Sequence, residues 1–178
     1  MSPKPRCLLL DANAVFTAFA RGVWTALVGN YRVVVPAVVV RTEVQFYLTK
    51  DAETRVELDL GLLVTARTIV EWGATAMQLA AVKARFRASF AQGLDDGETE
   101  AIACLLSGDE PEAVFVTGDR IAIHAVAMLD MADRATCLED VLELCGHRTA
   151  MPREHTRSFF KTCREEGSKR FVTRDGLA

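Results

Sequence analysis

Short apolar runs alternate along the chain with longer segments in which apolar residues recur at helical spacing. Short apolar runs that include residues 8–10, 33–35 and 114–116 are typical of buried strands. Strands are predicted at residues 6–10, 32–35, 62–70, 113–117 and 135–138. Helices are predicted at residues 14–27, 38–48, 74–90, 98–106, 120–129 and 139–145, with a loop or insertion at 51–61. Because strands alternate with helices, we expect an α/β fold: a three-layer α/β/α sandwich with a mostly parallel central sheet.

The 178 residues suffice for one domain with a sizeable core, predicted at residues 1–150. Residues 151–178 are predicted to form a basic C-terminal extension, helical and then frayed. This extension holds seven Lys/Arg and four Asp/Glu, whereas the whole chain has a net charge of −3. The extension is either a solvated helix or a surface that contacts phosphate groups of a nucleic acid. In the second interpretation the contacting side chains are Arg157, Lys161 and Arg164.

Several classes of protein fit the composition poorly. The chain has five cysteines with no CxxC pair, which argues against a disulfide framework and against a zinc site. No apolar stretch approaches the length of a membrane span. The first apolar run is interrupted by Asp11 and Asn13, so it does not resemble the core of a signal peptide. We therefore expect a cytoplasmic protein that does not associate with membranes.

Two aspartates follow the two most apolar predicted strands. Asp11 comes directly after Leu8–Leu10, and Asp119 follows the run at 114–116. The carboxyl ends of parallel strands meet at one edge of a sheet, where ligands bind in such folds. Either aspartate alone could be only the N-cap of the helix that follows it. Two of them at one edge favour a shared site.

Two glutamates fall on apolar faces of predicted helices. Glu43 lies on the buried face of the segment 38–48, where an isolated carboxylate is costly unless it is paired or bound to a metal ion. Its alternative partner is an arginine such as Arg41. Glu98 lies near the start of a helix, where it could simply be a favourable charge at the positive end of the helix dipole. Three neighbouring acids could substitute for Glu98: Asp95, Asp96 and Glu100.

Four carboxylates at one edge would repel one another unless a cation offset their charge. Oxygen ligands without histidine or cysteine favour Mg²⁺ or Mn²⁺. Such ions can lower the pKa of a bound water and stabilise charge on a phosphoryl group. The sequence therefore predicts a Mg²⁺ or Mn²⁺ site.

Four segments together resemble the motifs of the PIN-domain ribonucleases, over roughly residues 6–145. LLLDAN resembles the first motif, VVPAVVVRTEV the second, LDDGETEAIACLL the third and VFVTGD the fourth. The resemblance implies metal-dependent hydrolysis of RNA phosphodiester bonds by an endoribonuclease. It implies that the ion is held by Asp11, Glu43, Glu98 and Asp119. Asn13 and Thr117 would orient those carboxylates, or the attacking water, by hydrogen bonds.

The resemblance also has implications for the partners of this protein. The substrate is expected to be RNA. A common setting for such domains is the toxin half of a toxin–antitoxin pair (VapC-type), so a small antitoxin protein is a further expected partner. A homodimer is also considered.

Two other interpretations stay open at this point. One is a catalytically inactive PIN scaffold that binds RNA or a protein partner. The other is a haloacid-dehalogenase-like phosphatase, which also begins with a strand that ends in Asp. That chemistry needs a second Asp two positions later, where this chain has Asn13. Outside the four motifs, Arg120 could contact phosphate but is by default a surface residue, and His124 is expected in the core or at its edge.

Overall fold

A five-stranded parallel sheet forms the centre of the protein in a computed structural model, which describes residues 6–42, 45–48 and 54–178. Its strand order is β5-β2-β1-β6-β7. The strands are β1 (Cys7–Leu10), β2 (Arg32–Pro36), β5 (Val70–Trp72), β6 (Ala113–Val116) and β7 (Ala135–Thr136). A separate antiparallel pair consists of β3 (Gln45–Leu48) and β4 (Arg55–Leu58). The expected α/β fold with a parallel central sheet is confirmed.

Helices cover both faces of the central sheet. They are α1 (Ala12–Ala20), α2 (Trp24–Asn30), α3 (Ala37–Arg41), α4 (Leu60–Thr65), α5 (Ala76–Lys83), α6 (Ala88–Ala91), α7 (Asp96–Ser107), α8 (Arg120–Met128), α9 (Leu138–Leu144) and α10 (Arg157–Thr173). No helix in the described ranges combines the length and apolar character required to cross a bilayer.

The alternation of side chains along β1 shows how the two cores arise. Leu8 and Leu10 pack with residues of α1, α2 and α9, whereas Cys7 and Leu9 pack with residues of α7, α8 and α10. Successive strand residues point to opposite faces, so an unbroken apolar run such as CLLL is buried on both sides. The sequence pattern of the central strands therefore follows from their position between two helical layers.

The segment predicted as one helix at 38–48 is instead a short helix and a strand. Helix α3 ends at Arg41, and β3 pairs with β4 in the register Gln45↔Leu58 to Leu48↔Arg55. β3 carries the sequence QFYL, and aromatic residues favour strands once a partner strand is present. That partner, β4, lies within the segment predicted as a loop. The sequence-based prediction was therefore wrong in both places.

Three further boundaries differ from the sequence-based predictions. The predicted strand at 62–70 is mostly helix α4, capped by Asp59, and only Val70–Trp72 forms a strand. The predicted helix at 14–27 is divided into α1 and α2, and the predicted helix at 74–90 into α5 and α6. The second division has a tertiary cause, because the Arg87 amide donates to the Gly176 carbonyl at 2.8 Å and Phe86 pairs with Leu177. Local periodicity could not reveal contacts with the end of the chain.

The C-terminal extension is an integral part of the fold. Helix α10 packs along α8 and buries Phe160 and Cys163 in the same core as the central strands. Gly167 permits this approach, because a β-carbon there would lie 2.9 Å from His124 Cα and 3.0 Å from its carbonyl oxygen. The helix was expected, but the end of the chain is not frayed: the Ala178 amide donates to the Arg85 carbonyl at 3.0 Å.

Candidate metal centre

Asp11 and Asp119 lie at the carboxyl ends of two neighbouring strands. β1 and β6 pair so that Leu10 lies beside Val116, and the Asp11 amide donates to the Val116 carbonyl at 3.3 Å. Asp11 caps α1, with its Oδ1 accepting from the Ala14 amide at 2.5 Å. Asp119 caps α8, with its Oδ1 accepting from the amides of residues 121 and 122. Both aspartates are thus N-caps, and both also face the same edge of the sheet.

Thr117 links the two aspartates. Its side chain is fully buried. The Thr117 hydroxyl forms a hydrogen bond with the Asp11 carboxylate, and Thr117 Oγ1 accepts from the Asp119 amide at 3.0 Å. A hydroxyl can donate and accept at once, so one buried side chain fixes both groups. The structure therefore places Thr117 where it can orient the carboxylates.

Glu98 reaches the same site from the first turn of α7. It forms a reciprocal capping box with Asp95: the Glu98 amide donates to Asp95 Oδ1 at 2.7 Å, and the Asp95 amide donates to Glu98 Oε2 at 3.0 Å. Gly97 lets this turn approach α3 closely, because a β-carbon there would lie 2.9 Å from Val39 Cγ2. Glu98 therefore both stabilises the first turn of α7 and forms part of the site.

A cavity of about 220 Å³ lies between these elements. Its lining includes Asp11, Asn13, Asp95 and Glu98, together with residues 38, 39 and 42, whereas Asp119 is not among the lining residues. Asn13 is exposed and contributes to the rim, whereas Asp11 and Glu98 are buried. No histidine or cysteine contributes to the lining among the described residues. This donor set consists of hard oxygen atoms and fits Mg²⁺ or Mn²⁺ better than a softer metal.

Burial and neighbouring carboxylates raise the pKa of two acids of the site, Asp11 and Glu98. The pKa of Asp11 rises from 3.8 to about 6, mainly because the carboxyl group is buried. The charges of Asp119 and Asp95 also raise this pKa, whereas the hydrogen bonds of Asp11 to Thr117 and to the Ala14 amide lower it. The pKa of Glu98 is raised well above its usual range, by burial first and then by the charge of Asp119. Ionisation of Asp11 and Glu98, which lie on separate elements, is therefore energetically unfavourable in the metal-free protein. A cation in the cavity would remove that cost.

Glu43, the fourth predicted ligand, lies outside the described residues. Arg41, its alternative partner on sequence grounds, forms an ion pair with Glu71. Thr42, which immediately precedes Glu43 in the sequence, lines the cavity. The role of Glu43 stays a prediction.

Glu100 has a structural role that the sequence did not reveal. It is buried, and its two carboxylate oxygens accept from the Val38 amide at 2.7 Å and from the Ala74 amide at 3.0 Å. These bonds tie α7 to the start of α3 and to the segment after β5. Of the two glutamates in GETE, one therefore faces the cavity and the other holds the surrounding backbone in place.

His155 also supports the site, and no local sequence signal predicts this. Its ring is buried, and a β-carbon at Gly118 would lie 2.8 Å from His155 Cε1. Burial lowers the pKa of His155, and the nearby charge of Glu154 and the Asn13 backbone oppose this shift. His155 thus connects the loop after β1, the loop after β6 and the segment before α10. Only the tertiary fold brings these three segments together.

The basic residues predicted to contact nucleic acid have different environments. Arg157 pairs with Asp140 and Glu143, and Arg164 pairs with Asp133 at 2.8 Å. Lys161 is exposed. The charges of Arg157 and Arg164 are therefore offset by acids of the same chain, which leaves them less suited to phosphate than the sequence suggested.

A second group of potential ligands lies between α8 and α10. His124, Cys163 and Glu166 have donor atoms within 4.8 Å of one another. His124 Nε2 and Glu166 Oε2 are 3.0 Å apart, a hydrogen bond that satisfies the buried imidazole. Burial is the main cause that lowers the pKa of His124, and the nearby charges of Arg170 and Arg120 act in the same direction. Because the positive charges of Arg170 and Arg120 lie near His124, a cation would be disfavoured there. We therefore interpret His124, Cys163 and Glu166 as a packing contact.

Comparisons of the chain with models of known protein families, with curated proteins and with solved structures gave no match.

Proposed function

We propose that the protein is a metal-dependent ribonuclease in which Asp11, Glu98 and Asp119, together with Glu43, hold Mg²⁺ or Mn²⁺. The observation that carries the proposal is that Asp11 and Glu98, from two separate elements, line one cavity at the carboxyl edge of a parallel sheet. Asp119 follows the neighbouring strand and is close enough for its charge to raise the pKa of both. The four motifs in which these residues stand resemble those of PIN-domain ribonucleases in their order along the chain. Neither N-capping nor the helix dipole requires three such residues to share one place.

The residues of the site have separable roles in this proposal. Asp11, Glu98 and Asp119 bind and position the ion. Thr117 holds the Asp11 carboxylate by a hydrogen bond and fixes the loop that carries Asp119. Asn13, at the rim of the cavity, can donate from its amide to a phosphate oxygen or a water. When bound, the ion supplies positive charge for the phosphate and lowers the pKa of a coordinated water.

The proposal is tested by RNA cleavage. Purified protein is incubated with labelled single-stranded and structured RNAs in Mg²⁺, Mn²⁺ or EDTA. Asp11→Asn and Asp119→Asn should each reduce the cleavage rate at least about a hundredfold, because Asn keeps the cap but not the charge that binds the ion. Asp59→Asn, which alters an exposed N-cap far from the site in sequence, is the matched control and should cleave normally. Metal-independent cleavage, or wild-type rates in Asp11→Asn, would contradict the proposal.

The remaining partners stay predictions. A small antitoxin protein and a homodimer follow from the resemblance, and the described residues provide no direct support for either. Growth arrest on expression of the wild-type chain, absent with Asp11→Asn, is the expected result if the protein is a toxin.

A further inference from the structure

The imidazole of His155 packs against the backbone between Thr117 and Asp119. It is buried, and a β-carbon at Gly118 would lie 2.8 Å from His155 Cε1, 2.9 Å from its Nδ1 and 3.1 Å from the Glu154 carbonyl oxygen. Gly118 is not among the glycines with a positive φ angle, so its backbone conformation does not require glycine. Glycine is needed at this position because the imidazole occupies the space of a side chain.

The backbone on both sides of the ring carries predicted metal ligands. Thr117 Oγ1 accepts from the Asp119 amide at 3.0 Å, and the Thr117 hydroxyl forms a hydrogen bond with the Asp11 carboxylate. The other loop approaches the ring through Asn13, two residues after Asp11, whose backbone raises the pKa of His155 by hydrogen bonding. A shift of the ring would therefore move the backbone beside both aspartates.

The chemistry of the ring favours more than a packing role. His155 Nδ1 is buried and has no hydrogen-bond partner in the part of the chain that the structure describes. Because a buried polar atom without a partner is destabilising, an apolar side chain of similar size would contribute more to stability. Burial also lowers the pKa of His155, so the ring is uncharged at neutral pH and does not repel a cation nearby.

The C-terminal extension fixes the segment that carries the ring. The Arg157 amide donates to Glu139 Oε2 at 2.7 Å, and Thr156 caps α10 by accepting from the Phe159 amide. Helix α10 in turn packs closely along α8 at Gly167. The position of the imidazole is therefore determined by how the extension packs on the rest of the protein.

We infer that His155 is a positioning residue through which the C-terminal extension holds the Asp11 and Asp119 loops in the geometry that binds the ion. His155 does not line the cavity, so it acts through the backbone of Asn13 and Gly118. The inference rests on the proposed function, because the site that His155 supports is the metal centre of that ribonuclease.

The first measurement is hydrogen–deuterium exchange of the full chain in EDTA. His155→Ala should speed exchange about tenfold in peptides that cover residues 11–14 and 117–122 and leave residues 160–170 unchanged, because only the two loops lose their support. His155→Gln, whose amide can still hydrogen-bond to the Asn13 backbone, should have a smaller effect. Gly167→Ala disturbs the packing of α10 on α8 at a contact without the ring. It is the control and should speed exchange in those helices instead.

The second measurement is the Kd for Mn²⁺ at pH 7.5, obtained from the electron paramagnetic resonance signal of the free ion. His155→Ala should raise this Kd about tenfold, as for other residues that support metal ligands. Gly118→Ala should have a similar effect, because its methyl group displaces the ring. The double variant His155→Ala/Gly118→Ala has no such overlap and should bind Mn²⁺ about as tightly as His155→Ala alone. His155→Gln should raise Kd about threefold and keeps the test decisive if His155→Ala does not fold.

Four results would overturn the inference. They are wild-type exchange at both loops in His155→Ala, an unchanged Mn²⁺ Kd in that variant, additive losses in the double variant, and an equal loss of Mn²⁺ affinity in Gly167→Ala. The last result would mean that the ring acts only through overall stability. Mn²⁺ binding that is absent in wild type, or unchanged in Asp11→Asn, would instead contradict the ribonuclease proposal. Exchange at the two loops would then decide the role of His155 by itself.

Discussion

Asp11 should lower the stability of the metal-free protein at neutral pH. Its pKa rises from 3.8 to about 6 on folding, so the folded state binds a proton more tightly than the unfolded state. This rise corresponds to about 3 kcal/mol of unfavourable free energy when the carboxylate is ionised. The cost is absent below about pH 4, grows as the pH rises to about 6 and is complete above it. Metal-free protein should therefore lose stability through this window.

The substitution Asp11→Asn removes this cost and keeps the helix cap. Asn is as good an N-cap as Asp, so the hydrogen bond from Ala14 can be retained. At pH 7.5 in EDTA the variant should melt about 6–12 °C above wild type, taking roughly 2–4 °C per kcal/mol for a chain of this size. At pH 4 the two proteins should melt at nearly the same temperature, because Asp11 is then protonated in the folded state and only about half ionised in the unfolded state.

Manganese should remove most of the stability difference between the two proteins. An ion that binds only the folded protein adds about 2.7 kcal/mol at a hundredfold excess over its Kd, again about 5–10 °C. Wild type should show this shift at pH 7.5 and a much smaller one at pH 4.5, where protons compete for the carboxylates. Asp11→Asn should show little shift at either pH.

The assay is differential scanning fluorimetry at pH 4, 4.5 and 7.5, in EDTA and with increasing Mn²⁺. Asp59→Asn is the control, since Asp59 caps α4 by the same type of hydrogen bond but is exposed. It should follow wild type under every condition. An equal Mn²⁺ shift in wild type and Asp11→Asn would refute the reasoning, because the ion would then bind elsewhere. A difference in melting temperature between wild type and Asp11→Asn in EDTA that does not change with pH would refute the electrostatic cost assigned to the ionised Asp11.

Two further predictions concern residues that position the site. Glu100→Ala should destabilise the protein by about 3–5 kcal/mol in urea unfolding, because the amides of Val38 and Ala74 lose a buried charged acceptor, and Glu100→Gln should lose less. Gly167→Ala should cost about 1–3 kcal/mol through overlap with the backbone of α8, whereas Gly29→Ala, with nothing within 4 Å of its β-carbon, should be neutral or slightly stabilising. A loss in Gly29→Ala equal to that in Gly167→Ala would mean that the close approach of α8 and α10 is not the cause.

Particular residues show why the sequence predicted some parts of this protein better than others. Asp11 and Asp119 could be placed at one edge because each comes within a few residues of the end of a strand, and parallel strands align their carboxyl ends. The roles of Glu98 and Glu100 were harder to separate, because both are buried on the same helix. What distinguishes them is the partner across the contact: Asp95 and the cavity for Glu98, and the amides of Val38 and Ala74 for Glu100.

The tail illustrates the same limit for charged residues. Its composition predicted a basic helix, which the structure contains as α10. The composition could not indicate that Arg157 and Arg164 are paired, because Asp133, Asp140 and Glu143 come from other elements. Nor could it indicate that Arg153 and Arg120, far apart in the chain, meet at Phe159. Net charge is additive along a sequence, whereas the charge available to a ligand depends on the neighbours that folding supplies.

The sequence by itself determined the three inner strands of the sheet, β2, β1 and β6, since apolar runs such as those of β1 and β6 record burial on both faces. It also determined that carboxylates follow those strands. The tertiary structure decided the rest. It divided α5 from α6 through contacts with residues 176 and 177, paired β3 with β4, and placed His155 against Gly118. The reason is physical: strand and helix periodicity are properties of neighbouring residues, whereas these contacts join segments whose approach depends on how the whole chain packs.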